Sequence, residues 1–194
     1  MATPQPSDPP IDRSTRPCAF DLFETALGTF GIAWSRDGIV RLRLPESDAA
    51  ALAAGLERLG WTRAAAPPPV AAAIALLRRY AAGERIDFAA AALDLHGVPP
   101  VHRRIYAVTR RLGFGETATY GAIAAAAGPP VIARTVGVAM AKNPVPILVP
   151  CHRVLAAGDR PGGFSAPGGT ATKLRLLALE GVRLDGGQPM LPGF

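Results

Sequence analysis

Asn143-Pro-Val-Pro-Ile-Leu-Val-Pro-Cys-His-Arg-Val-Leu155 sets a cysteine beside a histidine at the end of an apolar run. Pro144, Pro146 and Pro150 exclude a helix here, since each lacks an N–H and fixes φ. The residue ahead of each is pushed toward extended backbone. Ile147-Leu148-Val149 is therefore expected as a buried extended segment that delivers Cys151 to one fixed place. A thiol reacts as its thiolate, and a free cysteine with a pKa of ~8.5 holds only a few per cent of it at neutral pH. The imidazole of His152 can take that proton near pH 7. Cys151 read alone is first a small buried hydrophobe, and the dipeptide by itself favours that reading; the surroundings change it.

Around this stretch, 194 residues suffice for one domain or two small ones, and 49% hydrophobic content excludes global disorder. No apolar run approaches the ~20 residues that span a bilayer. Residues 1–10 carry no apolar signal core, so a cytoplasmic chain without membrane attachment is expected. Cys18 and Cys151 are expected as thiols. With three histidines they show no zinc spacing, so neither metal nor cofactor is expected. Charge is uneven. Residues 1–98 hold ten Lys/Arg against eleven Asp/Glu, whereas residues 99–194 hold eleven against four. Such asymmetry suggests that the second half meets a polyanion, although a generally basic surface explains it as well.

In the first half, residues 1–16 read as a loose tail. Phe30, Ile32 and Trp34 alternate with small residues, and Val40, Leu42 and Leu44 with arginines, which is the period of half-buried strands. Asp37-Gly38 between them signals a hairpin. A further strand is expected near Cys18–Phe23. Ser47 can cap a helix running to about Leu59, and a second helix should run from about Val70 to Ala82, stopped by Gly83. This is an α+β unit, a small antiparallel sheet with helices, in which no chemistry concentrates. His96 and His102 read as surface or boundary residues. His96-Gly-Val-Pro-Pro100 marks the boundary, giving units of 17–98 and 99–184 and a tail over 185–194.

In the second half, Val101, Ile105, Val108 and Leu112 recur at helical spacing, with Arg103, Arg104, Arg110 and Arg111 on a solvated face. Thr119 caps a short helix over Tyr120–Ala127 that Gly128 closes. Pro129-Pro130 opens another, about Val131 to Lys142. Together these make a helix-turn-helix. The second helix carries Ala133, Thr135 and Gly137 around Arg134, and offers little base-specific hydrogen bonding. Such small residues suit sequence-independent contact with DNA walls, but on residues alone a packed internal helix is the preferred reading. The Gly/Pro loop 156–169 is long enough to be functional. A last helix begins at Thr170 or Thr172 with Leu174, Leu177 and Ala178 on one face. Glu180 in its last turn opposes the helix dipole and needs a partner, either Arg183 or His152.

The run Pro-Val-Pro-Ile-Leu-Val-Pro-Cys-His-Arg-Val resembles the active-site signature of the O6-alkylguanine-DNA alkyltransferases, or methylated-DNA–protein-cysteine methyltransferases. The likeness extends from about Val101 to Gly181 and more faintly over the first half. It implies a ribonuclease-H-like N-terminal domain of mainly structural role, followed by a mostly helical winged-helix domain that carries the active site. It implies DNA repair by stoichiometric, irreversible transfer of an alkyl group from O6-alkylguanine, and from O4-alkylthymine, to the protein's own cysteine after nucleotide flipping. Cys151 would be the acceptor. His152 would draw its proton through a water, Glu180 would polarise His152, and Asn143 would brace the turn. Tyr120 would contact the flipped base and its flanking phosphate, and Arg134 would fill the gap in the stack. Backbone groups of Cys151, Val154 and Ser165 would line the base pocket, with Phe164 at its lip. The partner implied is duplex DNA, contacted without sequence preference in the minor groove by a monomer. Tyr106 and Val101 stand where the family usually has Trp and Phe, and Phe164-Ser165 stands for its usual Tyr-Ser. Two rivals stay open on residues alone. A winged-helix DNA binder leaves the Cys-His-Glu set unexplained, and a cysteine hydrolase leaves the basic half unexplained.

Overall fold

A computed structural model describes residues 18–46 and 48–184. Its first half is the α+β unit expected. Strands β1 (Ala19–Thr25), β2 (Gly28–Ser35) and β3 (Gly38–Arg43) form an antiparallel meander. Two-residue β4 (Thr62–Arg63) extends it, parallel to β1, in the order β3-β2-β1-β4. Nothing in the sequence announces β4, because two exposed residues carry no period. Helix α1 (Ala49–Glu57) is capped by Asp48, whose side chain accepts from the Ala50 N–H, while the cap expected at Ser47 lies outside the described residues. Helix α2 (Pro68–Ala81) ends ahead of Gly83 as expected.

Strand β2 is buried on both faces rather than half-buried. Phe30, Ile32 and Trp34 enter the main core, while Ala33 faces a second cluster of Phe20, Val40, Leu56 and Trp61 beneath α1. Gly31 makes room for that helix, since a Cβ there would meet the Leu56 side chain at 3.1 Å. The main core then runs without a break from the sheet into the second half.

The second half holds α3 (Pro100–Thr109), β5 (Ala118–Thr119), α4 (Tyr120–Ala127), α5 (Ala133–Ala141), β6 (Val154–Leu155) and α6 (Gly169–Leu179). Thr119 caps α4 by accepting from the Ala122 N–H, and Gly128 closes it. Helix α5 starts two residues later than expected. Pro129-Pro130, joined by a cis peptide, belong to the turn, and Ile132 is still extended at the N-cap. Strands β5 and β6 pair in parallel, which ties the start of α4 to the residues just after His152 and Arg153.

Two arginines expected on a solvated face are structural clamps. Arg110 donates to the carbonyls of Phe88, Ala89 and Ala91, and Arg104 to those of Gly128 and Pro129. His102 is buried against Tyr106 rather than at the surface, because its position on α3 turns inward one turn before Tyr106; His96 is exposed. The Leu42 N–H donates to the Pro144 carbonyl at 2.9 Å, so the sheet's own edge reaches the Asn143–Leu155 stretch.

Candidate active site

The segment Ile147-Leu148-Val149 is buried as expected but is not extended. It is a tight turn, with Ile147 at φ 71° and the Val149 N–H donating to the Val145 carbonyl at 2.9 Å. Proline excludes a helix but permits a turn, and no residue in the sequence announced a positive φ at a β-branched side chain. Asn143 holds the turn from inside. Its Nδ2 donates to the Val149 carbonyl at 2.8 Å and its Oδ1 accepts from the Val145 N–H at 3.0 Å. The chain then enters a single 3-10 turn, Cys151–Arg153. At three residues per turn, successive side chains leave about 120° apart, so cysteine, histidine and arginine point three ways from one buried pedestal.

Glu180, the C-cap of α6, meets two of them. His152 Nε2 lies 2.8 Å from Glu180 Oε1. Arg153 grips both carboxylate oxygens, Nε to Oε2 and Nη2 to Oε1, each at 2.8 Å, while its Nη1 donates to the Leu112 carbonyl at 2.6 Å. The Tyr80 hydroxyl donates to Oε1 at 2.7 Å, and the Gly115 N–H to Oε2 at 3.0 Å. Gly115 has φ +78°, and a Cβ there would stand 3.0 Å from the Glu180 carbonyl oxygen, so glycine is required. Arg183 is not the partner found. These donors answer the helix-dipole conflict posed by a carboxylate at a helix C-terminus.

The electrostatics follow from burial and these bonds. Burial alone would push the Glu180 carboxyl up, but the His152 and Arg153 hydrogen bonds outweigh it and hold it well below the usual carboxylate range. Burial pushes the His152 imidazole down, against the upward pull of Glu180. Nε2 is the ring nitrogen that faces the carboxylate and is placed to donate to it. The ring's Nδ1 is buried with no hydrogen-bond partner among the described residues. Burial pushes the Cys151 thiol up, opposed by a hydrogen bond from Asn143 and the charge of Lys173.

Lys173 is fully buried on α6, donates to the Val154 carbonyl at 2.5 Å, and lies 5.9 Å from the Tyr120 ring centre. Burial brings its ammonium down to about 8. The buried face of α6 is thus Lys173, Leu176 and Leu177, leading to Glu180, rather than Leu174, Leu177 and Ala178. The same spacing fits both sets. Lys173 and Glu180 are drawn inward because each finds a partner there, and Leu174 is left 39% exposed.

Of the other residues singled out, Tyr120 is half-buried at the start of α4, against Gly162. Val154 is buried in β6, and Phe164 packs on the main core. The exposed Ser165 donates from Oγ to the Ala141 carbonyl at 2.8 Å, tying the long loop to the end of α5. Ala133 and Arg134 are exposed, Thr135 and Gly137 half-buried, and a Cβ at Gly137 would meet open space. The structure therefore gathers Cys151, His152, Glu180 and Asn143 at one buried centre bordered by Tyr120, and sets Arg134 apart on the outer side of α5. Sequence reasoning missed Tyr80, Arg153, Lys173 and Gly115.

Residues 100–182 match the model of the 6-O-methylguanine DNA methyltransferase DNA-binding domain. The methylated-DNA–protein-cysteine methyltransferase of Methanothermobacter thermautotrophicus is 32% identical over 157 residues, 80% of this chain and 81% of that one. The chain belongs to the methylated-DNA–protein-cysteine methyltransferase family. The mouse member is 34% identical over 185 residues, 90% of this chain and 86% of its own. The fold agrees: the crystal structure of Mycobacterium tuberculosis OGT in complex with DNA superposes with a TM-score of 0.67 at 31% identity, covering 84% of this chain and 93% of that one. Among the described residues of this methyltransferase-family chain, no helix is long and apolar enough to cross a membrane.

Proposed function

We propose that this chain repairs DNA by moving an alkyl group from the O6 of guanine onto its own Cys151. His152 takes the thiol proton at Nδ1, through a water. The thiolate attacks the O6-alkyl carbon, the carbon–oxygen bond breaks, and guanine leaves as an anion. The thioether is stable, so each molecule acts once. Glu180 holds Nε2–H and stabilises the imidazolium as it forms, since its own carboxyl stays ionised. The observation that carries this reading is the buried His152, next in sequence to Cys151, with Nε2 2.8 Å from Glu180 Oε1 and Nδ1 without a hydrogen-bond partner among the described residues. Deprotonation is the demanding step for a buried thiol, and the Asn143 hydrogen bond and Lys173 charge favour it.

The base must leave the duplex to reach so buried a sulfur. Exposed Arg134, with Ala133, Thr135 and Gly137 around it, supports a close minor-groove approach in which the guanidinium fills the vacated stack. Tyr120, Val154, Phe164 and Ser165 border the base pocket, which also accommodates O4-alkylthymine. The protein works as a monomer at DNA in the cytoplasm. With methylated duplex in excess, transfer should stop after one equivalent. Continued turnover would instead mark a hydrolase, and no transfer a simple binder.

A further inference from the structure

Tyr80 belongs to α2, in the half of the chain where the sequence concentrates no chemistry. Its ring is fully buried, edge-on to Phe88 and Phe114. Its hydroxyl reaches the other half, donating to Glu180 Oε1 at 2.7 Å and standing 3.4 Å from His152 Nε2. Resting on the acceptor role of Cys151, we infer that Tyr80 is a positioning residue for the transfer. Its one proton, given to Glu180 Oε1, fixes that oxygen against His152 Nε2 and leaves Nδ1 as the base.

A phenol has a single proton to give. Burial and the neighbouring carboxylate push the Tyr80 phenol up, so it remains a donor at any physiological pH. Because that proton goes to Glu180, it cannot serve His152 Nε2. The imidazole must therefore supply its own Nε2 proton to Oε1, and the lone pair stays on Nδ1. Tyr80 also draws electron density from the oxygen that supports the imidazole. The groups facing His152 are Glu180, which raises its basicity, and the cations Arg153 and Lys173, which lower it. Cys151 adjoins it in sequence and is coupled to Tyr80 as well. Tyr80 differs from all of these in that it changes the strength of Glu180 while carrying no charge. Removing its hydroxyl concentrates the carboxylate on Nε2–H and favours the imidazolium before the thiol has given up its proton.

The test is the pH profile of single-turnover reaction with free O6-benzylguanine, which needs no DNA. Tyr80→Phe should move the acid limb to higher pH by about half a unit or more, and lower the plateau rate about 3- to 10-fold. Affinity for DNA should be unchanged. Replacing Tyr80 by 3-fluorotyrosine, a stronger donor of nearly the same size, should move the limb the opposite way without a folding defect. Leu77→Ala, on the same helix and buried in the same core, should destabilise the fold and leave the limb in place. If both Tyr80 replacements keep the wild-type limb and lose rate only as Leu77→Ala does, Tyr80 is packing and the inference fails. A wild-type protein that transfers no alkyl group to Cys151, either from O6-benzylguanine or from an O6-methylguanine duplex, would instead remove the assignment on which it rests.

Discussion

Arg153 holds Glu180 in a two-pronged grip, Nε to Oε2 and Nη2 to Oε1, both at 2.8 Å. The pair joins the Cys151–Arg153 3-10 turn to the end of α6, and both side chains are almost wholly buried. A buried bidentate pair is costly to break from one side, because the partner is left charged and unpaired. Arg153→Ala should destabilise the fold by about 3–5 kcal/mol. Arg153→Lys should recover only part of this, since an ammonium cannot engage both oxygens in one plane. Urea unfolding measures it, and an alanine variant as stable as wild type would show that the grip contributes nothing.

Asn143 uses both ends of its amide to hold the turn, donating to Val149 and accepting from Val145. It also lowers the Cys151 thiol against the push of burial. Asn143→Ala should slow transfer about 10-fold or more, the worth of a hydrogen bond to a charged group, and shift the alkaline limb of the rate profile upward. A slower variant with an unmoved alkaline limb would restrict Asn143 to bracing the loop.

Much of this was open to sequence reasoning. Helix α4 with its Thr119 cap and the hairpin at Asp37-Gly38 follow from periodicity and capping, and the dipole conflict marks Glu180 as needing a partner, while the choice of His152 over Arg183 comes from the family resemblance. What failed did so for physical reasons. Proline says what backbone Ile147 cannot adopt, not that it turns with φ 71°. Lys173, Leu176, Leu177 and Glu180 recur at helical spacing, a signal within reach, but charged residues are ordinarily assigned to the solvent side. Tyr80 had no such signal: on α2 it reads as one more core aromatic, and only the packing of the two halves brings its hydroxyl to Glu180.

Lys173 gives a pH-dependent stability of known sign. Burial lowers its ammonium from 10.5 to about 8, so between those values the unfolded chain binds more protons than the folded one. Stability from this group therefore rises with pH across that window. Cys151, pushed up by burial, acts in the opposite direction, so the comparison belongs in a Cys151→Ala background. There, unfolding free energies of the Lys173 protein and its Lys173→Met variant should shift in the lysine's favour from about pH 8 to about pH 10.5. Parallel curves would contradict the burial of a charged ammonium. With Cys151 present, Lys173→Met should slow transfer at neutral pH.

Arg134 is exposed near the start of α5. Unstacking a base costs a few kcal/mol, and a flat, permanently charged guanidinium can occupy the gap. Arg134→Ala should slow transfer from duplex DNA strongly yet leave reaction with free O6-benzylguanine unchanged, and Arg134→Lys should fall between. Rapid quench at saturating duplex separates this from a phosphate contact, for which the alanine variant would bind more weakly but transfer normally. Binding itself should weaken steeply with salt and show no sequence preference.

The most direct test of the acceptor assignment is mass spectrometry of the protein after reaction with a duplex containing O6-methylguanine. The account predicts one methyl group per chain, located on Cys151, and none on the Cys151→Ala variant. A methyl group found on Cys18, or an unmodified Cys151 in protein that has demethylated the DNA, would contradict it.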